Sequence, residues 1–291
     1  MLPSHRWPPN SFIGITSNMA LSHSEKHLRV RLGEPFHLDS INPGATPGLN
    51  KKDKDGLTET FEKMHAELSE AQARLWAEHS RSILLILQAL DSGGKDGTIR
   101  RVFKGVNPQG VRVTGFRQPN SIEASHDFLW RINQALPTKG EIGIFNRSHY
   151  EDVVATYVLK LIDDKERQQR FEEIRNWEDY LDRNHIDVIK VFLHISSDEQ
   201  RERFQERITD PAKQWKFSDT DLKTRELWSE YQDAYSEAIS ATSTDESPWF
   251  VIPANHRWSR DYSILKLLLD RLELMNPQYP EVSGLDGIVV K

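Results

Sequence analysis

A doubly wound α/β fold around a parallel five-stranded sheet is the architecture this sequence predicts, and three observations carry the prediction. A continuous apolar run at 82–89, with similar short runs at 111–116, 141–145, 188–195 and 249–253, is the pattern of strands in a parallel sheet. Stretches of helical period separate them, roughly at 97–107, 121–136, 149–184, 197–209 and 221–241, so strand and helix alternate as crossover connections require. Directly after the first run comes a glycine-rich turn, Asp91-Ser-Gly93-Gly94-Lys95, at the strand end where such sheets hold their ligands.

Residues 1–55 are rich in Pro, Gly, Asn, Ser and charge, as in Asn42-Pro-Gly-Ala-Thr-Pro-Gly-Leu-Asn50, and are expected to lie over the surface as an arm. From 57 to 80, Leu57, Phe61, Met64, Leu68, Ala71 and Leu75 recur at helical spacing and predict an amphipathic helix. Ser82 to Ala89 is too short for a typical helix and reads as the first strand. Helix 258–275 closes the domain, and no internal repeat interrupts the order. Trp228, Tyr231 and Tyr235 share a helical face and are read as core packing.

At 291 residues the chain is one large domain or two modest ones, with ample length for a buried core. The 38 basic residues against 44 acidic ones leave a formal charge of −6, which argues against a nucleic-acid partner. There is no cysteine, so disulfides, thiolate zinc sites and cysteine nucleophiles are excluded. The longest aliphatic run, Ile83 to Leu87, is far short of the roughly 20 residues of a membrane span. Residues 1–20 hold no secretory apolar stretch, and Met19 is a candidate start; a cytoplasmic protein without a membrane partner is expected. The pair His23 and His27 sits in a polar setting and reads as a solvated face, and Asp53 to Gly56 is too short for a calcium loop.

The turn after the first strand is the most informative segment. Glycines let the backbone turn its N–H groups inward, and the following helix adds partial positive charge for a phosphate. Measured against G-x-x-x-x-G-K-[ST], Ala89 replaces the first glycine and Asp96 replaces the hydroxyl residue, while Gly94 and Lys95 are in place. The missing hydroxyl leaves Asp91 or Asp96 to hold Mg²⁺, which favours one or two carboxylates plus phosphate oxygens. The turn is therefore read as a P-loop, with the loop running through Gly97 and Thr98.

A second candidate group stands at the end of the third strand, Asn146-Arg147-Ser148-His149-Tyr150-Glu151-Asp152. Arg147 there faces the crevice and suits a bidentate grip on phosphate; a salt bridge to Glu151 is the plainer alternative. His149 with Glu151 and Asp152 is a poor metal cluster, because neighbours along a helix point apart. Residues 199–216 place Arg203 and Arg207 on one helix face and Lys213 and Lys216 after the break at Pro211, the composition of a lid that lowers cations onto phosphates. Arg257 and Arg260 follow the last strand at the same sheet edge.

Taken together, Asp91-x-x-Gly94-Lys95-x-Gly97-Thr98, Phe145-Asn146-Arg147-Ser148-x-Tyr150, Glu199-Gln200-x-x-Arg203-Phe-x-x-Arg207 and Pro211-x-Lys213-x-Trp215-Lys216 resemble the family-2 polyphosphate kinases over about 57–275. The resemblance implies a kinase moving phosphate between inorganic polyphosphate and a nucleotide, with Mg²⁺. By position it implies that Asp91 binds the metal, that Lys95 holds the transferring phosphoryl group and that Arg147 fixes the acceptor's phosphate. It implies lid roles for Arg203 and Arg207, with Arg207 among the catalytic residues. Gly93, Gly94, Asp96, Gly97, Thr98, Arg203, Lys213, Lys216, Arg257 and Arg260 would contact the phosphates, and Asn146, Arg147, Glu151 and Arg131 the nucleotide. Asn146 stands where many members carry Asp, and Glu151 where they carry Asn; this version is similar to the subgroup that accepts AMP and ADP alike.

The implied organisation is an arm over 1–55, a P-loop kinase domain over 56–280 with its lid at about 199–220, and a tail over 281–291. The implied partners are polyphosphate and adenine or guanine nucleotides, with a homo-oligomer expected. Two other readings fit parts of the sequence: an ATP-dependent nucleoside monophosphate kinase like thymidylate kinase, and a non-enzymatic polyanion-binding regulator.

Overall fold

The computed structural model describes residues 28–31, 36–284, 288 and 290; Met19, His23 and His27 lie outside them. Five strands, β1 (Ser82–Gln88), β2 (Val111–Gly115), β3 (Ile142–Asn146), β4 (Ile186–His194) and β5 (Trp249–Pro253), form one sheet in the order β2-β3-β1-β4-β5. Every neighbouring pair is parallel. The central strand, β1, is buried at all seven positions, as its unbroken apolar sequence requires.

Nine α-helices join and flank the strands among the described residues: α1 (Leu57–Glu78), α2 (Lys95–Val102), α3 (Trp130–Asn133), α4 (Ala155–Val158), α5 (Asp164–Arg183), α6 (Ser197–Thr209), α7 (Asp219–Glu226), α8 (Trp228–Thr242) and α9 (Arg257–Met275). Strand order decides which face each takes. The step from β1 to β2 runs one way across the sheet, and the later steps run the other way. Right-handed crossovers therefore put α2 on one face and the later connections on the opposite face. The core divides accordingly. Ile83, Leu85 and Leu87 of β1 pack with Leu68 of α1, Val102 of α2 and Leu268 of α9. Leu84 and Ile86 pack with Phe171 of α5 and Ala238 of α8.

Two expected helices are broken, each by a local side-chain contact. Over 121–136, Asn120 accepts from the backbone of Ile122 and Glu123 (2.9 Å each), and Asp127 accepts from Leu129 (3.0 Å). Such turns compete with helical hydrogen bonds, and only the 3₁₀ turn Glu123–Ser125 and α3 survive. Over 149–184, Lys160 turns to φ 58°, and Asp163 then caps α5 by accepting from Glu166 N at 2.8 Å. The helix expected at 221–241 likewise divides at Leu227 into α7 and α8. The part of the arm at 28–31 packs into the molecule: Leu28 and Val30 are buried, and Val30 N donates to Trp249 O of β5 at 2.8 Å.

Candidate active site

The loops leaving β1, β3, β4 and β5 at their carboxyl ends converge on one crevice. After β1 the chain turns through Ser92 (φ 62°) and Gly94 (φ +100°) before α2 begins at Lys95. Gly94 is required twice over, by its left-handed backbone and by space: a Cβ there would lie 2.3 Å from Arg260 Nη1. Lys95 is buried and folds back so that Nζ donates to Ala89 O at 2.8 Å. Burial, then the positive charge of Arg147, push its pKa down to about 8, against the opposing pull of Asp91, Glu151 and Asp96.

Arg147 follows β3 in a left-handed conformation, φ 66°, an uncommon state for a residue with a side chain. Its Nη2 donates to Asp91 Oδ1 at 2.7 Å, and its Nε stands 4.0 Å from Glu151 Oε1. Burial disfavours the guanidinium charge, but Glu151 and Asp91 outweigh it and hold the pKa above its ordinary value. Glu151 itself is pushed upward by burial, less the attraction of Arg147 and Lys95. With the Gln88 amide oriented so that both ends are satisfied, its nitrogen donates to Glu151 at 3.0 Å and its oxygen accepts from Ser148 at 3.0 Å. The plainer alternative for Arg147, the pairing with Glu151, is thus present at 4.0 Å beside a shorter bond to Asp91.

Asp96 joins three elements. It accepts from Asn146 Nδ2 at 2.8 Å and from Lys216 Nζ, in the segment expected as a lid, at 2.6 Å. These bonds outweigh desolvation and hold its carboxyl below the usual range. Lys213 and Arg257 meet on Glu206, at 2.5 and 3.0 Å, and Arg207 donates to Asp221 at 3.2 Å.

The two remaining arginines occupy a setting that their sequence neighbours did not suggest. Arg203 and Arg260 are only 7 % and 1 % exposed, against 53 % for Arg257. Arg203 spends its guanidinium on Glu199 (2.7 Å), Ser92 O (3.0 Å) and Ala254 O (2.7 Å). It ties the phosphate loop to the end of β5, so the expectation of a lid arginine gives way to that of a floor arginine. Arg260 binds Asp261 through two nitrogens, at 2.9 and 2.8 Å, beneath Gly94; burial pushes its pKa down to about 10.

Arg131 is buried at the far side of Asp152, 3.4 Å away, and donates to Arg117 O at 2.7 Å. It lines a cavity of about 480 Å³ shared with His126, Phe128, Asp152, Leu161 and Arg170. Gly93 and Gly97 complete the turn, where a Cβ would meet Ala89 Cβ at 2.4 Å and Arg101 Nη2 at 3.1 Å. Thr98 and Ser92 hold buried hydroxyls without a hydrogen-bond partner.

Sequence reasoning quoted Gln200 without a role and passed over Asp221 and Gln88. Asp221 is pushed up by burial and next by the negative charge of Asp91, which puts two carboxylates across one crevice. Gln200 donates to Asp91 O at 2.9 Å. Asp221 lies one turn past the lid lysines, and its three-residue offset from Ser218, with which it forms a capping box, was the available signal.

A glycine loop with a buried lysine, a strand-end arginine and a bank of cations over the crevice defines a phosphoryl-transfer enzyme of the P-loop kinase class. Comparison with known proteins narrows the class. The model of the Polyphosphate kinase 2 family matches residues 51–280. An AMP/ADP-polyphosphate phosphotransferase of Meiothermus ruber is 45 % identical over 256 residues, 88 % of this chain and 96 % of the relative. An ADP-polyphosphate phosphotransferase of Rhodopseudomonas palustris is 38 % identical over 270 residues, 89 % and 93 % of the two chains. The crystal structure of polyphosphate kinase 2 from Arthrobacter aurescens superposes with a TM-score of 0.85 at 40 % identity, covering 90 % of this chain and 93 % of that one. This chain belongs to the polyphosphate kinase 2 family. No helix among the described residues is long and apolar enough to cross a membrane.

Proposed function

We propose that this protein transfers phosphoryl groups from inorganic polyphosphate to nucleoside mono- and diphosphates, taking AMP to ADP and ADP to ATP in a reversible reaction. The observation that carries the reading is the run of cations from the loop outward: Lys95 and Arg147 at the centre, Lys216 on Asp96, then Lys213 and Arg257 on Glu206. A polyphosphate donor has no base to recognise and needs such a path. The Meiothermus ruber relative is named for both acceptors, AMP and ADP. A GDP-polyphosphate phosphotransferase of Mycolicibacterium smegmatis, 28 % identical over 240 residues, supports guanine nucleotides as further acceptors.

Each group has a task in this reading. Lys95 holds the transferring phosphoryl group, and Arg147, locked by Asp91 and Glu151, aligns the acceptor's phosphate for in-line attack. Arg207, the acceptor-side partner of Asp221, swings its charge onto the developing transition state. Arg131 and Asp152 face the cavity proposed for the acceptor's nucleoside, and Glu151 discriminates an acceptor with one phosphate from one with two. Arg203 and Arg260 keep the loop in shape from below.

Mg²⁺ suits the donor set at the crevice. It takes few carboxylates and completes its shell with phosphate oxygens and water, and Asp91 is a carboxylate at the loop with Asp221 opposite, while Asn146 is neutral. Among the described residues no cluster of three acidic or histidine ligands forms a cage, so binding through substrate phosphates is the mode that fits. Asp91 would hold the ion, which neutralises charge between donor and acceptor phosphates. The reading also carries a cytoplasmic location and a homo-oligomeric state, checked by fractionation and light scattering.

The decisive experiment mixes purified protein, Mg²⁺, long-chain polyphosphate and AMP without ATP, and follows products by chromatography. ADP first and ATP later is the expected course. ADP alone removes the diphosphate acceptor, and reaction only when ATP is supplied as donor overturns the polyphosphate assignment.

A further inference from the structure

One carboxylate on the lid has two cationic partners drawn from distant parts of the chain. Glu206 on α6 takes Lys213 Nζ on one oxygen at 2.5 Å and Arg257 Nη2 on the other at 3.0 Å. Lys213 sits in the lid loop and Arg257 opens α9 behind β5, so no local chain constraint brings them together. A phosphate unit offers the same feature as this carboxylate, adjacent anionic oxygens that accept from two cations at once.

We propose that Glu206 is a resident stand-in for one phosphate of the donor chain, holding Lys213 and Arg257 at phosphate spacing and setting how tightly polyphosphate binds. The inference rests on the polyphosphate reading above. The exchange is easy in physical terms. All three side chains are solvent-exposed by roughly half, and ion pairs of this kind contribute little because water and salt screen them. Lys213 keeps a second tether, Asp210 Oδ2 at 2.9 Å, so its ammonium stays at the lid when Glu206 lets go. Glu206 can then rotate into water, where its charge is already solvated. After each transfer the donor is one phosphate shorter and must shift along its path. A carboxylate that competes for the same cations keeps that shift from being slowed by overly tight binding.

The Glu206→Gln variant tests this directly. Its KM for long-chain polyphosphate is expected to fall about 3- to 10-fold, the scale of two exposed ion pairs, with the KM for AMP unchanged. Glu62→Gln, the same charge change at an exposed position on α1, is the control and is expected to leave both constants alone. Adding Lys213→Ala to Glu206→Gln should abolish the gain, as a double-mutant cycle. An unchanged or raised polyphosphate KM in a folded Glu206→Gln protein overturns the proposal, and an equal fall in Glu62→Gln reduces it to bulk charge. Inactivity of the unmodified protein with polyphosphate overturns the donor reading and the inference together, whereas activity with a wrong response of the variant overturns the inference alone.

Discussion

Arg203 and Arg207 stand four residues apart on α6, yet they belong to different parts of the machine. Arg203 points inward, is buried, and bonds to two backbone carbonyls that fix the phosphate loop. Arg207 points to the lid side and holds a carboxylate, Asp221, that a substrate could replace. The same division separates Arg260 from Arg257 at the start of α9. Arg203 and Arg260 are buried against protein acceptors, whereas Arg207 and Arg257 keep 22 % and 53 % of their side-chain surface exposed beside Asp221 and Glu206.

The sharpest division lies at the centre of the crevice. Lys95→Ala, Asp91→Ala and Arg147→Ala are each expected to lower kcat at least about 100-fold, as for other preorganised electrostatic groups, in proteins whose circular dichroism is unchanged. Full turnover in a folded Asp91→Ala enzyme removes that residue from metal binding.

Floor and lid are then compared by one pair of variants. Arg203→Ala leaves Ser92 O and Ala254 O without their buried donor and should cost about 2–4 kcal/mol of stability, seen as a lower Tm. Lys213→Ala should leave Tm alone and raise the polyphosphate KM severalfold. Equal effects on Tm would erase the distinction.

Lys95 gives a pH test. With its pKa pushed down to about 8, the charged amine proposed to grip phosphate is present below that pH and lost above it. The profile of kcat/KM, which reports the free enzyme, should therefore fall as pH rises through about 8. Bound phosphates favour the ammonium, so the corresponding limb of kcat lies at higher pH. A flat profile from pH 7 to 9 would mean that Lys95 carries no needed charge. The smallest effect is expected of Glu151→Asn, which should change the ratio of AMP to ADP turnover while each rate stays measurable; an unaltered ratio separates Glu151 from the acceptor.

Much of this was readable from residue types. The five strands lie within two residues of their expected bounds; β1 and β5, short apolar runs, are buried at every position, whereas β2, Val111–Gly115, is an edge strand with Val113 half exposed. Lys95, Asp91 and Arg147 were legible because strand-to-helix turns place such residues in one crevice. Side-chain direction was not legible. Periodicity put Arg203 and Arg207 on a common face, but the acceptors that separate them, Ser92 O, Ala254 O and Asp221, come from three other segments. The interruptions at Asn120, Lys160 and Asp163 were hidden for a related reason: helical spacing continues through them, and a few short hydrogen bonds decide the matter.

The two outer strands of the sheet are guarded unequally. β2 is short, and Val113 is half exposed on it. β5 is buried along its whole length, although it too is the last strand of its side. Helices cover its two faces, and the arm covers the start of its open edge: Arg29 makes an antiparallel bridge to Phe250, Val30 N donates to Trp249 O, and Ser243 Oγ donates to Val30 O at 2.7 Å. An open row of apolar strand backbone invites pairing with a second molecule. A chain shortened past Val30 should therefore scatter light in a concentration-dependent way while its phosphate loop, on the central strand, still works.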